Sequence, residues 1–302
     1  MLAKTENREK KVRVCFIINS YPPKIGGAER LVENLTSKLS SRGHSSIVIT
    51  RKEKGTGIVE KRDNTTIIRV PVIGNRTLKA LIFRVATSIL LFALRKRYDV
   101  IHAHSLDSPA VIASIMAPIL KKSYLITIHN TGKVKAFLTR KEATLVSERI
   151  NKTCSGIISI NNEITDELLS SGMCKEKIIF IPNGVDVERF SPPSREEKQR
   201  IMQSLSLFDR LIFLFVGNFH SQKGIDTLLL AWEKFQRQVE EKSTVLLMIG
   251  DGNLMGMAKD LVGRLNIKDS VYLLGRKLNT CLLYTSDAAD EGLGVDLGGR
   301  RI

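Results

Sequence analysis

The sequence is poor in the features that mark disulfide scaffolds, zinc sites and membrane spans. Its four cysteines stand far apart without a C-x-x-C pair, which argues against a disulfide framework or a zinc site and favours a reducing cytosol. In the most apolar segment, 78–94, the longest uncharged stretch has ten residues and is too short to cross a bilayer. Residues 1–11 are charged, so we expect no secretory signal and a cytoplasmic protein.

Aromatic and acidic residues are also scarce. Aromatics make up 6% of the chain, and no zinc finger, RNA-recognition signature or mixed basic and aromatic patch is present, so we expect no nucleic-acid partner. A non-enzymatic basic binding module stays open as an alternative. The net charge is +16, and residues 1–190 hold 32 Lys and Arg against 17 Asp and Glu. This imbalance favours a basic face for anionic lipid, phosphate or nucleic acid.

Short apolar runs alternate with helical patterns along most of the chain, which predicts an α/β protein with parallel sheets. Its 302 residues allow two domains. The first series predicts strands at 12–18, 46–50, 66–71, 99–103, 124–128, 156–160 and 177–181, with helices at 27–41, 78–97, 108–120, 139–152 and 162–171. The second predicts helices at 195–205, 224–239 and 254–265, with strands at 211–216, 245–249 and 271–274.

These patterns predict two doubly wound, Rossmann-like domains, over 1–190 and 191–279, the second incomplete. Periodicity is lost after residue 276. We expect 280–302 to be a non-native tail, because its text resembles translated sequencing-adaptor read-through; a natural Gly- and Asp-rich tail is the alternative. In open parallel sheets ligands bind beyond the carboxyl ends of the strands, which makes those loops the candidate sites.

Two glycines follow the first predicted strand. Gly26 and Gly27 stand directly before an amphipathic helix, where backbone N–H groups and the positive end of the helix dipole favour a phosphate. An ordinary turn and helix start explains these residues equally well.

A second glycine pair, Gly250 and Gly252, lies between a strand and a helix and resembles G-x-G-x-x-G with the third glycine one place late. This pattern predicts a pyrophosphate contact and leaves an NAD-type oxidoreductase open. A dinucleotide-binding fingerprint also needs an acidic residue at the end of the next strand to bind the ribose. Asp269 precedes the next strand instead of ending it.

Three histidines stand at strand ends of the first domain. His102 and His104 alternate along one strand, and a metal site there would need a third ligand such as Asp107 with no supporting spacing, so we expect no metal. Any one of them is accounted for by a structural, hydrogen-bonded histidine. For His129, which is followed by Asn and Thr, we favour a functional role.

A lysine follows the first strand of the second domain. Lys223 lies between glycine residues at the start of a helix, where the dipole disfavours a cation, so a role in binding phosphate is the better interpretation. In the first domain, the helix at 78–97 is flanked by basic residues. It predicts either a cover for the sheet or a surface that lies on anionic lipid.

Five motifs in order resemble family 4 of the retaining GT-B glycosyltransferases. They are GGAE at 26–29, DVIHAH at 99–104, TIH at 127–129, IPNGVD at 181–186 and GNFHSQKG at 217–224. The resemblance covers residues 12–276. It implies transfer of a sugar from a nucleotide diphosphate sugar to a glycan, lipid or other acceptor, with retained configuration and without metal or cofactor. Peripheral contact with the inner face of the plasma membrane fits the basic first domain.

The resemblance also implies roles for single residues. Gly26, Gly27 and His104 would face the donor, His129 would lie near the transferred sugar, and Lys223 would neutralise the departing diphosphate. Asn218 stands where the family often has Arg. The family's paired glutamates should follow residue 276 and are not found, so we expect the chain as written not to transfer sugar.

Overall fold

The computed structural model describes residues 11–24, 26–139, 143–184, 187, 194–204, 210–238 and 244–276. The chain divides into two compact units, Met1–Gly184 and Val185–Ile302. The predicted tail at 280–302 and the paired glutamates expected after 276 lie outside the described residues. In the described part, no helix combines the length and apolar character needed to cross a membrane.

The first unit is an eight-stranded sheet covered by helices. Its strands are β1 (Arg13–Ile17), β2 (Ser45–Arg51), β3 (Val59–Arg62), β4 (Thr65–Val70), β5 (Val100–His104), β6 (Ser123–Ile128), β7 (Gly156–Ser159) and β8 (Ile178–Phe180). Its helices are α1 (Gly27–Ser41), α2 (Arg76–Ala93), α3 (Ser108–Ile119), α4 (Lys133–Leu138), α5 (Ala143–Thr153) and α6 (Asn162–Ser170).

The strand order is β3-β4-β2-β1-β5-β6-β7-β8, and every pair is parallel except β3 with β4. Alternate side chains of the central strands face opposite layers. Phe16 and Val48 pack against α1, whereas Ile17 and Ile49 belong to the larger core beneath the other helices. Helices on both faces confirm the predicted Rossmann-like, doubly wound class for this unit.

The second unit has a three-stranded parallel sheet in the order β11-β10-β9. Its strands are β9 (Leu211–Val216), β10 (Thr244–Ile249) and β11 (Val271–Gly275), and its helices are α7 (Arg195–Ser204), α8 (Ile225–Gln238) and α9 (Met255–Arg264). Leu246 and Met248 face α8 and α9, and Val245 and Leu247 form a second small core on the other face.

Two sequence expectations need correction. The strand Val59–Arg62 was not predicted, because its sequence VEKR has one apolar residue and lies at the edge of the sheet. The helix predicted over 139–152 is observed as Ala143–Thr153, preceded by the separate short helix Lys133–Leu138, which begins after Gly132 at a φ of 80°.

Candidate active site

Two histidines meet at the carboxyl edge of the first sheet. His104 ends β5, and His129 follows the neighbouring strand β6. Because the two strands are parallel and paired in register, both side chains reach the same edge. His104 Nδ1 and His129 Nε2 lie 2.8 Å apart in a hydrogen bond, and the rings stack with centroids 5.1 Å apart. The structure therefore brings together the two histidines that the sequence singled out in separate motifs.

A third histidine supports this pair from the sheet. His102 Nε2 hydrogen-bonds Thr127 Oγ1 at 2.8 Å, and the rings of His102 and His104 lie 4.3 Å apart. Phe16 packs against both rings from β1. His102 and His104 are buried, so their orientation is fixed by packing as well as by hydrogen bonds.

Burial keeps these histidines neutral. It lowers the pKa of His102 to about 4, with a smaller contribution from the repulsion between the protonated forms of His102 and His129, and lowers the pKa of His104 well below its usual range. Burial also lowers the pKa of His129 to about 4, although the carboxylate of Glu29 acts in the opposite direction. The three rings act at neutral pH as hydrogen-bonding groups and not as cations.

The hydrogen bond between the rings sets which nitrogen carries hydrogen. His104 Nε2 is buried and has no partner in the part of the chain that the structure describes. An unpaired buried N–H is rarer than an unpaired acceptor, so we assign the hydrogen of His104 to Nδ1, where it is donated to His129 Nε2. His129 then carries its own hydrogen on Nδ1. It can donate that hydrogen to a bound hydroxyl group.

The glycine loop approaches the histidines through Glu29. Gly26 precedes α1, and the space beside the α-carbon of Gly27 is open, because a Cβ added there would have no heavy atom within 4 Å. Glu29, in the first turn of α1, accepts a hydrogen bond from Ser20. Glu29 had no predicted role beyond its place in the GGAE motif, although its charge acts on His129. The open backbone at Gly27 leaves room for a ligand against the helix N-terminus.

A buried arginine holds the loop in place. Arg69, on β4, is 1% exposed and donates to the carbonyl oxygen of Pro22 at 2.7 Å. Its other terminal nitrogen pairs with Glu60 at 2.7 Å. This pairing compensates the buried charge and fixes the loop that leads to Gly26. Arg69 was not identified in the sequence, because it sits in the middle of an apolar strand pattern.

The residue after His104 is backbone-strained. Ser105 has a φ of 98°, a region that L residues other than glycine rarely adopt, and its N–H donates to the Thr127 carbonyl oxygen at 2.9 Å. No sequence signal points to this conformation, because serine is common in ordinary loops. The strained turn redirects the chain from the histidines toward Asp107.

In the second unit, Lys223 lies on a loop that is hydrogen-bonded to the loop after β10. Lys223 ends a one-turn 3-10 helix, and Gly224, at a φ of 58°, leads into α8. In the loop before it, Phe219 is fully buried, its N–H donates to the Asp251 carbonyl, and its own carbonyl accepts from Leu254 N–H. Asn218 and Lys223 are exposed on this anchored loop. A rigid loop with an exposed ammonium group at the carboxyl end of β9 can hold a phosphate.

Gly250 and Gly252 serve the packing between these loops. A Cβ at Gly250, where φ is 149°, would lie 1.8 Å from the Gly217 carbonyl oxygen, and one at Gly252 would lie 2.5 Å from that of Phe219. Neither distance is sterically possible, so both positions need glycine. Loop packing thus accounts for the pattern that resembled a dinucleotide fingerprint.

Asp99, at the start of the DVIHAH motif, lies away from this edge. It precedes β5 and forms a hydrogen-bonded pair with Arg13, which lowers the pKa of Asp99 to about 2. Its role is therefore to join the amino ends of two strands. Among the described residues, no group of three or more His, Cys, Asp or Glu side chains could hold a metal ion.

Two mostly parallel sheets, with glycine-containing and polar loops at the carboxyl ends of their strands, define an α/β protein of the doubly wound class, in which ligands generally bind at that edge. Residues 25–189 match the profile of Glycosyltransferase Family 4, so the chain belongs to that family. Residues 197–290 match the profile described as Glycosyl transferases group 1.

Curated relatives agree with this assignment. The alpha-monoglucosyldiacylglycerol synthase of Streptococcus pneumoniae is 22% identical over 275 residues, which cover 87% of this chain and 61% of that protein. The glycogen synthase of Mycobacterium tuberculosis is 26% identical over 316 residues, which cover 92% of this chain and 72% of that protein. The chain thus spans about three fifths of the length of the first of these relatives.

The fold matches a solved structure, Anabaena HepE in complex with UDP and glucose. The TM-score is 0.70 at 16% identity, and the match covers 91% of this chain and 72% of that one. At this identity the likeness shows the fold. It confirms the predicted GT-B class.

Proposed function

We propose that this protein transfers a sugar from a nucleotide diphosphate sugar to a lipid acceptor, with the anomeric configuration retained. The observation that carries the proposal is the anchored, exposed Lys223 at the carboxyl end of β9, in a chain of Glycosyltransferase Family 4. Breaking a glycosyl–phosphate bond builds negative charge on the leaving diphosphate. A fixed cation at that group lowers the barrier.

The donor contact is assigned to the Lys223 loop. Asn218 supplies an amide in place of the cation that resemblance to the family led us to expect there, so Lys223 is the principal positive charge on the loop. HepE was solved with UDP and glucose, which supports a uridine diphosphate sugar as the first donor to test. Gly250 and Gly252 keep the loop close to the sheet, and by that packing they support the same contact.

The sugar contact is assigned to His129. As a neutral ring whose hydrogen is on Nδ1, His129 would donate to a sugar hydroxyl without adding positive charge beside a developing oxocarbenium ion. His104 holds the ring in that orientation, which makes it a positioning residue. Gly27 offers open backbone at the start of α1 for the donor.

The lipid acceptor is supported by an exposed apolar stripe on α2, made of Leu78, Leu81, Val85, Ile89 and Phe92. Phe83, Thr87 and Leu91 bury the opposite face. The helix can therefore cover the sheet with one face while its other face lies on lipid. Arg95, Lys96 and Arg97 lie at its end and would meet anionic headgroups.

The relatives' names point to two product classes, a glucosylated diacylglycerol and glycogen, and so to a lipid or a polysaccharide acceptor. The α2 stripe favours the first. A lipid surface would cover exposed apolar side chains such as Ile89, which is 64% exposed, whereas a polysaccharide in water would leave them in contact with solvent. The membrane is therefore the proposed site of action, with the protein at its surface.

Donor class is tested by thermal unfolding of the 302-residue chain with UDP-glucose, GDP-mannose, ADP-glucose and NAD. The acidic motif expected after 276 lies outside the described residues. The test therefore measures donor binding, to which the described residues are proposed to contribute. A sugar nucleotide at 100 times its Kd stabilises the protein by about 2.7 kcal/mol, or several degrees in Tm. Stabilisation by NAD alone would favour the oxidoreductase and refute the proposal.

Retention of the anomeric configuration is tested by the anomeric NMR coupling of any transfer product.

A further inference from the structure

A cavity of about 850 Å³ opens in the first unit at the carboxyl edge of the sheet. Three of its lining side chains are arginines, Arg51 at the end of β2 and Arg76 and Arg84 on α2. Its acidic lining residue, Asp107, accepts a hydrogen bond from Asn19 Nδ2 at 2.8 Å. The lining therefore carries a net positive charge, and we call this cavity the arginine pocket.

Two polar atoms in the arginine pocket, one on Arg51 and one on Asn19, lack partners in the described part of the chain. Arg51 is half-buried with its guanidinium over the ring of Phe83, and its Nε is buried without a hydrogen bond in the described part of the chain. Burial lowers the pKa of Arg51, while the charges of Asp107 and Glu53 oppose that effect. Asn19 Oδ1 is also buried and unpartnered among the described residues. Leaving such groups unpaired is costly, so a ligand that pairs the guanidinium would stabilise the pocket.

The start of α2 adds to the positive charge of the arginine pocket. Its first residue is Arg76, exposed and without an ion pair among the residues that the structure describes, and its first turn holds no acidic side chain. A cation at a helix N-terminus is unfavourable, whereas an anion there is stabilised. Two turns on, Arg84 Nε donates to Ser108 Oγ at 3.3 Å, which holds the guanidinium at the pocket wall.

We propose that the arginine pocket binds a phosphate group carried by the acceptor. The planar guanidinium groups of Arg51, Arg76 and Arg84 suit paired hydrogen bonds to phosphate oxygens. Leu81 belongs both to the lining of the pocket and to the exposed α2 stripe, so a bound phosphate lies beside apolar surface. A phosphorylated lipid satisfies both features. This inference rests on the proposed function, because it names the acceptor of that reaction.

The test is calorimetric titration of the 302-residue chain with three probes. They are dioctanoyl phosphatidylglycerol below its micelle concentration, dioctanoylglycerol as the uncharged match, and glycerol 1-phosphate as the water-soluble phosphate. We expect Arg76→Ala and Arg84→Gln each to weaken phosphatidylglycerol binding by about tenfold or more, the loss expected for one charge-assisted hydrogen bond. Dioctanoylglycerol binding should not respond to either substitution.

Arg42→Ala is the matched control, because Arg42 is an exposed arginine of the same unit at the far end of α1. It should leave the Kd of every probe within twofold. Arg76→Ala removes an exposed side chain at a helix start, so its result does not depend on stability. Unchanged phosphatidylglycerol binding in Arg76→Ala and Arg84→Gln, or failure of both phosphate probes to bind, would overturn the inference.

The probes also separate the two sources of phosphate. Binding of phosphatidylglycerol alone assigns the pocket to a lipid headgroup, and equal binding of glycerol 1-phosphate assigns it to a soluble phosphate ester; both results support the pocket. Parallel titration with UDP tests the proposed function independently. Phosphate binding without UDP binding would refute the transferase proposal alone, and the reverse would refute the arginine pocket alone.

Discussion

His104 and His129 show how single residues build this site. Neither ring is charged at neutral pH, and each fixes the other through one 2.8 Å hydrogen bond. His104 is buried and hydrogen-bonded to His129, so its ring holds the His129 ring in place, and a direct contact of His104 with the donor stays a prediction. The sequence placed both histidines at strand ends, but the bond between them depends on the register of β5 with β6, which no local pattern specifies.

The neutral histidines predict how stability depends on pH. The folded-state pKa of His102 and His129 is about 4, below the ordinary 6.5, so the unfolded chain takes up protons in that window while the folded chain does not. Stability of the first unit should fall as pH falls from 6.5 to 4, by up to about 1.4 kcal/mol per pH unit for each histidine.

Urea unfolding at pH 7 and pH 5, followed by circular dichroism, measures this slope. The fluorescence of Trp232 provides the internal control, because it reports the second unit. His102→Gln should flatten the slope of the first unit. A free energy of unfolding for that unit that stays constant between the two pH values would contradict the neutral assignment.

At the scale of elements, periodicity predicted most of the fold. The helix predicted over 27–41 is observed as Gly27–Ser41, because two glycines and an amphipathic pattern mark its start. The strand Val59–Arg62 was missed because its mostly exposed, charged residues carry no alternation of apolar and polar side chains. For α2 the sequence left two roles open, a cover for the sheet or a surface on lipid, since it cannot tell which apolar stripe of the helix the sheet covers.

The α2 stripe predicts salt-sensitive binding to vesicles of anionic lipid. Ile89 and Phe92 are 64% and 54% exposed, and burying two such side chains in the interface should strengthen binding at least tenfold. We expect Ile89→Ser with Phe92→Ser to weaken binding by that factor in vesicle sedimentation. Neutralising Arg95, Lys96 and Arg97 should remove most of the salt dependence.

Leu230→Ser is the control for vesicle binding, because Leu230 is a comparably exposed leucine on α8 of the second unit. It should leave sedimentation unchanged. Equal vesicle binding by the unaltered chain and by the variant that carries both Ile89→Ser and Phe92→Ser would contradict the lipid role of α2. The helix would then only cover the sheet.

At the scale of the whole molecule, two units carry different parts of the proposed chemistry. The first holds the histidines, the arginine pocket and the α2 stripe, and the second holds the Lys223 loop. Motif order in the sequence was enough to predict the family, since each motif follows a strand or lies within one. The arginine pocket could not be predicted, because Arg51 on β2 is distant in sequence from Arg76 and Arg84 on α2 and no motif contains any of the three.

The most direct test of the central claim, that a nucleotide diphosphate sugar is held through Lys223, is the Kd of UDP measured by calorimetry. Lys223→Ala is compared with Lys234→Ala, an exposed lysine further along α8. We predict that Lys223→Ala weakens binding about 10- to 100-fold, as for a lost charge-assisted contact, while Lys234→Ala binds as the unaltered chain does. Equal UDP affinity in the unaltered chain and the Lys223→Ala variant would contradict the account.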